Sequence, residues 1–182
     1  MVKLGLLALL LAAAVAHADP TIDRRVGWDF AVGELSDKTL AFGLGLDLDQ
    51  RVAGEWFVTA AYHWRWTERT LTEMTSAPGS AQAIDLGVRR RLTSSHRFDP
   101  LTFFVDGEAG IGAELATDDS GSRTVPEAYA GLRFGYQLTE PHSSTPQRGF
   151  DFDFAARAIA IDHGPAGHAI GGMFVMTMAW DD

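Results

Sequence analysis

Residues 39–49, TLAFGLGLDLD, keep a strict two-residue alternation. Leu40, Phe42, Leu44, Leu46 and Leu48 fall on one face of a strand, and Thr39, Ala41, Gly43, Gly45, Asp47 and Asp49 fall on the other. A sheet washed by water on one side would carry Lys, Glu, Thr or Gln on its polar face. Here that face holds small residues ending in carboxylates, as if crowded against a narrow interior. Large apolar side chains outside and small or polar ones inside are the pattern of a transmembrane β-barrel. A strand of about ten residues, tilted by roughly 45°, crosses a hydrocarbon layer.

The same alternation recurs along the chain and predicts eight strands with no helix after the leader. The first covers 25–32, with Val26, Trp28, Phe30 and Val32 outward. The third, 56–67, presents Trp56, Val58, Ala60, Tyr62, Trp64 and Trp66, with only Phe57 out of pattern on the inner face. The others are 81–92, 101–115, 127–138, 150–161 and 169–180, the far end of the seventh turning Ile159 and Ile161 inward. Residues 33–38, 50–55, 68–80, 93–100, 116–126, 139–149 and 162–167 read as connections, rich in Gly, Pro, Asp and Ser. In an up-and-down meander, Trp28, Trp56, Phe103, Tyr136, Phe150 and Trp180 gather on one rim, while Trp64 and Trp66 reach the other. Aromatic belts at two membrane interfaces explain that arrangement, because an amphipathic ring prefers headgroup depth. With the N-terminus in the periplasm, the connections 68–80 and 116–126 would both face the cell exterior.

The chain opens with Lys3, an apolar run over 4–15, and Ala16-His17-Ala18 before Asp19-Pro20, the pattern of a secretory signal cleaved after Ala18. Residues 1–18 are thus the leader and 19–182 a single barrel domain. Losing Lys3 leaves 14 of the 15 Lys and Arg against 24 Asp and Glu, a net charge of −10, which argues against nucleic acid as a partner. There is no cysteine, so neither disulfides nor a thiolate metal site contribute. No segment after the leader reaches 18 continuous apolar residues, which leaves a closed barrel as the way to span a bilayer.

With these features the chain resembles the small eight-stranded outer-membrane barrels, the group of the OmpA transmembrane domain and the OmpX-like proteins, over about residues 24–180. The resemblance implies a monomeric integral protein of the bacterial outer membrane, its partners the lipid bilayer and the outer-membrane assembly machinery, with any extracellular partner unassigned. Such barrels usually end on an aromatic that the assembly machinery reads. Here Trp180 is followed by Asp181-Asp182, a departure that bears on that signal.

The inward face collects Arg25, His63, Arg65, Arg89, Arg91, Arg133 and Arg157 with Asp29, Asp47, Asp49, Asp85, Asp106, Glu108, Glu114, Glu127, Asp151 and Asp153. An eight-stranded barrel is just wide enough for side chains to fill, and enclosed charges must be paired. The reading is a structural charge network that plugs the lumen, centred on Asp29, His63, Arg65, Asp85, Arg89, Asp106, Glu108, Arg133, Asp153 and Arg157. No catalytic residue, cofactor or metal site is assigned. In lipid-processing outer-membrane barrels a His-x-Ser pair sits on a lipid-facing strand, and the only such spacing here, His142-Ser143-Ser144, falls between Pro141 and Pro146 in a turn. His163 and His168 flank Gly-Pro and lack a third ligand at a recognisable spacing. The competing readings are a soluble periplasmic lipocalin-like barrel with its apolar face turned inward around a ligand, an outer-membrane lipid-modifying enzyme, and a small pore.

Overall fold

The computed structural model describes residues 24–36, 38–72, 75–98, 101–118, 121–139, 149–162 and 167–181. They form eight strands: β1 (Arg24–Leu35), β2 (Thr39–Ala53), β3 (Trp56–Thr72), β4 (Thr75–Phe98), β5 (Leu101–Asp118), β6 (Gly121–Thr139), β7 (Gly149–Asp162) and β8 (His168–Asp181). Each pairs antiparallel with the next, and β8 closes on β1, so the barrel has no free edge within the wall. Closure satisfies the backbone inside hydrocarbon, where no water is at hand to do so.

Strand β2 shows how the sequence selects this wall. Leu40, Phe42, Leu44 and Leu46 are exposed and Ala41, Gly43, Gly45 and Asp47 are buried. Leu44 keeps 53% of its surface accessible, and the same holds for Trp28, Phe30, Val88, Leu132 and Phe174 around the barrel. A continuous apolar exterior of this kind is matched by acyl chains and not by water. The lipocalin-like alternative is therefore overturned, since it required the apolar face to point inward.

The strands are staggered. Following register partners from Arg25 through Asp49, Thr59, Gly87, Gly110, Tyr129, Ile159 and Gly171 returns to β1 at Leu35, ten residues above the start. That shear tilts the strands and places register partners at different heights along the axis.

Several predicted connections are strand instead. The β3–β4 ladder continues through Glu68↔Pro78 and Arg69↔Ala77 to Thr72↔Thr75, and β5–β6 continues through Ala116↔Arg123 to Asp118↔Gly121. The turn expected at 93–100 is largely β4, with irregular register between Arg91/Thr93 and Ser95/Phe98, and β2 runs on through Ala53 with a shift at Arg51/Ala53. Beyond the bilayer both faces of a strand meet water, so pairing persists while alternation, the sequence signal, stops. Pro126 pairs with Ala113 of β5 and lies one residue beyond the last β6–β7 register pair, Glu127↔Ile161, so it is not tied into a ladder on both sides. The leader, residues 140–148 and residues 163–166 lie outside the described residues.

The ends of β1, β3, β5 and β7 and the starts of β2, β4, β6 and β8 lie at one end, the upper rim, and the start of β1 and the end of β8 at the other, the lower rim. Exterior rings pair at each. Phe103 with Tyr136 and Phe150 with Trp180 stand 5.5 Å apart near the lower rim. At the upper rim Phe42, Trp66 and Trp64 stack at 5.6 and 5.1 Å. β8 continues one residue past Trp180, with Asp181 opposite Arg25.

Candidate functional site

The lumen is filled from the floor upward. Phe57, out of pattern in the alternation, is the floor: it turns inward, buried, and the guanidinium carbons of Arg89, Arg51 and Arg91 lie 4.5, 5.4 and 5.9 Å from its ring centre. Arg91 also stands 4.2 Å from the buried ring of Phe104 and 2.9 Å from Asp106. An aromatic face attracts a cation most strongly where water is excluded, so this ring holds three positive groups that would otherwise repel each other.

Above the floor, Arg25 of β1 contacts Asp49 at 3.0 Å, Asp151 at 3.1 Å and, more closely, Asp153. Arg89 of β4 shares Asp49 at 2.9 Å and reaches Asp106 at 3.2 Å. Arg133 of β6 is the hub: it meets Glu108 on β5 and Asp47 on β2, both at 3.0 Å, and Asp153 on β7 at 3.4 Å. Arg157 binds Glu108 at 2.5 and 3.3 Å, and its guanidinium lies 4.6 Å from the ring centre of Tyr129.

Tyr129 lies flat along the wall over the cross-strand pair Gly87–Gly110. A Cβ on Gly110 would stand 2.6 Å from the ring and one on Gly87 2.5 Å from the hydroxyl. The small inward residues of the alternation are thus the places where long side chains from other strands lie down.

The upper lumen divides in two. On β3 to β6, Arg65 grips Glu127 at 2.6 and 3.0 Å and Glu114 at 2.9 Å, with Asp85 at 3.7 Å, and His63 bridges Asp29 at 3.0 Å and Asp85 at 2.9 Å. Toward β7, β8 and β1 an apolar cluster takes over: Ala31, Val125, Ala155, Ile159, Ile161, Met173 and Val175.

The ten residues named from alternation, Asp29, His63, Arg65, Asp85, Arg89, Asp106, Glu108, Arg133, Asp153 and Arg157, are all inward and buried and fall into two paired sets: Asp29, His63, Asp85 and Arg65 above, and Arg89, Asp106, Glu108, Arg133, Asp153 and Arg157 below, the lower set joined through Asp49 and Arg25. Phe57, Phe104 and Tyr129 join them. Phe57 is visible in the sequence only as the large inward residue of its strand. His142-Ser143-Ser144 and His163 lie outside the described residues, and His168 pairs with Asp162 on the exposed upper rim at 3.2 Å. Among the described residues no group of three or more His, Cys, Asp or Glu is arranged to hold a metal ion.

No protein-family model and no curated protein sequence matches the chain. Solved structures do. Neisserial surface protein A superimposes with a TM-score of 0.55 at 9% identity, over 87% of this chain and 95% of that one. The outer membrane enzyme PagL gives 0.47 at 15% identity, over 84% and 97%. The Yersinia pestis outer membrane protein Ail in a phospholipid nanodisc gives 0.44 at 16%, over 87% and 99%. The fold is that of the small eight-stranded outer-membrane barrels.

Proposed function

We propose that this chain, an eight-stranded barrel of the bacterial outer membrane, is a non-enzymatic envelope component whose lumen is closed by its own charges and which acts through its upper rim. The observation that carries the reading is Arg133, 1% exposed, which reaches from β6 to carboxylates on β5, β2 and β7 and so crosses the space a solute would need. An eight-stranded lumen has no spare width once such a chord is in place. The fold by itself does not separate enzyme from non-enzyme, since PagL is named an enzyme. The non-enzymatic reading rests on what the buried groups are engaged with: every arginine of the set is bound to carboxylate and His63 is held between two carboxylates.

Purified protein reconstituted in planar bilayers tests the closed lumen. We expect no sustained current with small ions; steady single-channel conductance by wild-type protein would make transport the function instead.

A further inference from the structure

His63 is 2% exposed, and acceptors face both of its ring nitrogens. Nδ1 lies 2.9 Å from Asp85 Oδ2, and Nε2 lies 3.0 Å from Asp29 Oδ2. Ionised carboxylate oxygens only accept, so the ring satisfies both by donating from both nitrogens, which requires a proton on each. With a single ring proton, one nitrogen turns its lone pair on a carboxylate, and that contact is repulsive unless the acid itself takes a proton.

The two acids stand on β1 and β4, which β2 and β3 separate in the wall. The ring therefore ties together strands that share no ladder. The wall is shaped around this tie. A Cβ on Gly45 would stand 2.5 Å from Asp29 Oδ1 and closer still to the His63 ring, and a Cβ on Gly112 would meet the Asp85 carboxylate.

The charged groups around the ring come from several elements. β1 gives Asp29, β3 gives Arg65, β4 gives Asp85, and β5 and β6 give Glu114 and Glu127 bound to Arg65, while on β2 the residue opposite His63 is the uncharged Gly45. Four carboxylates thus face Arg65 and His63, and of the two bases only the imidazole exchanges its proton in the accessible pH range.

We propose that His63 is a proton-operated latch in the plug: with a proton on each nitrogen it ties β1 to β4 through Asp29 and Asp85, and on giving one proton to solvent it releases one of them. The inference rests on the charge-plugged reading of the lumen and adds to it a site where the plug loosens reversibly.

The test uses full-length mature protein folded in detergent micelles with ¹⁵N-labelled histidine, the His63 signals assigned by their loss in His63→Gln. Both ring nitrogens should carry hydrogen in the latched state. As the pH is raised, conversion to a singly protonated ring should coincide with amide hydrogen exchange about tenfold faster around Asp29 and Asp85, the factor that matches loss of one charge-assisted hydrogen bond. His63→Gln should exchange fast at every pH. Gly45→Ala, which keeps the imidazole but crowds its contact with Asp29, should exchange fast as well.

A ring with one bare nitrogen in the slowly exchanging protein overturns the latch. So does a wild-type exchange profile that ignores the second proton. If His63→Gln fails to fold, the wild-type ring signals, assigned through Gly45→Ala, and the wild-type exchange profile decide the matter. Wild-type protein that conducts ions while its ring stays doubly protonated would sink the plug and leave the latch standing.

Discussion

The lower lumen and the upper wall toward β7 and β8 are equally buried but filled by opposite means. Below, five arginines interlace with carboxylates from β2, β5 and β7; above, Ile159, Ile161, Met173 and Val175 pack with alanines. The difference lies in reach. An arginine spans the lumen, so Arg133 joins β6 to β2 and Arg25 joins β1 to β7, whereas aliphatic side chains touch only what lies close by. Charge therefore acts as cross-bracing between strands that share no ladder, and apolar packing fills the remainder. Their failures should differ too, because a missing arginine strands buried anions while a missing aliphatic leaves only a void.

The largest effect is expected at the hub. Arg133→Ala deprives Asp47 of its arginine partner and weakens the hold on Glu108 and Asp153, and should destabilise the barrel by about 3 to 5 kcal/mol, read as a lower denaturation midpoint in detergent. Adding Asp47→Ala should restore part of the loss, since it removes one stranded charge. If the double variant is no more stable than the single, Arg133 is not bracing through β2.

In the apolar region Ile159→Ala should cost about 2 kcal/mol, the low end for an isoleucine truncation, because the flexible Met173 of the same cluster can move into the space. A loss matching that of Arg133→Ala would erase the contrast between the regions. At the floor, Phe57→Leu keeps an apolar side chain and removes the ring from Arg89, Arg51 and Arg91. About 1 kcal/mol should follow.

The smallest change is expected where the same chemistry stands in water. Asp162 and His168, 46% and 73% exposed, meet on the upper rim as an ion pair only when the ring is protonated, and Asp162→Asn should shift stability by less than about 0.5 kcal/mol. Thermal unfolding of the two variants side by side measures how much of an ion pair's worth comes from burial.

Alternation by itself determined which way each side chain faces, because the strand period is two and the two faces of the wall meet lipid and a filled lumen. That was enough to place Leu44 outside, and Asp47, Asp106, Glu108 and Arg133 inside. It also exposed Phe57 as inward without saying what it was for. It failed toward the upper rim, since Glu68↔Pro78 and Asp118↔Gly121 pair without a periodic signature in the sequence.

Partnership was decided only by tertiary structure. Asp106 is the register partner of Arg133, yet Asp106 binds Arg89 and Arg91, while Arg133 reaches Glu108 on the same neighbouring strand and then crosses to Asp47 and Asp153. The ten-residue stagger around the barrel sets which strands' side chains share a height, and a flexible arginine then finds its anions across the lumen rather than along the ladder. That stagger is a property of the closed ring and of all eight registers at once, and no single strand's sequence contains it.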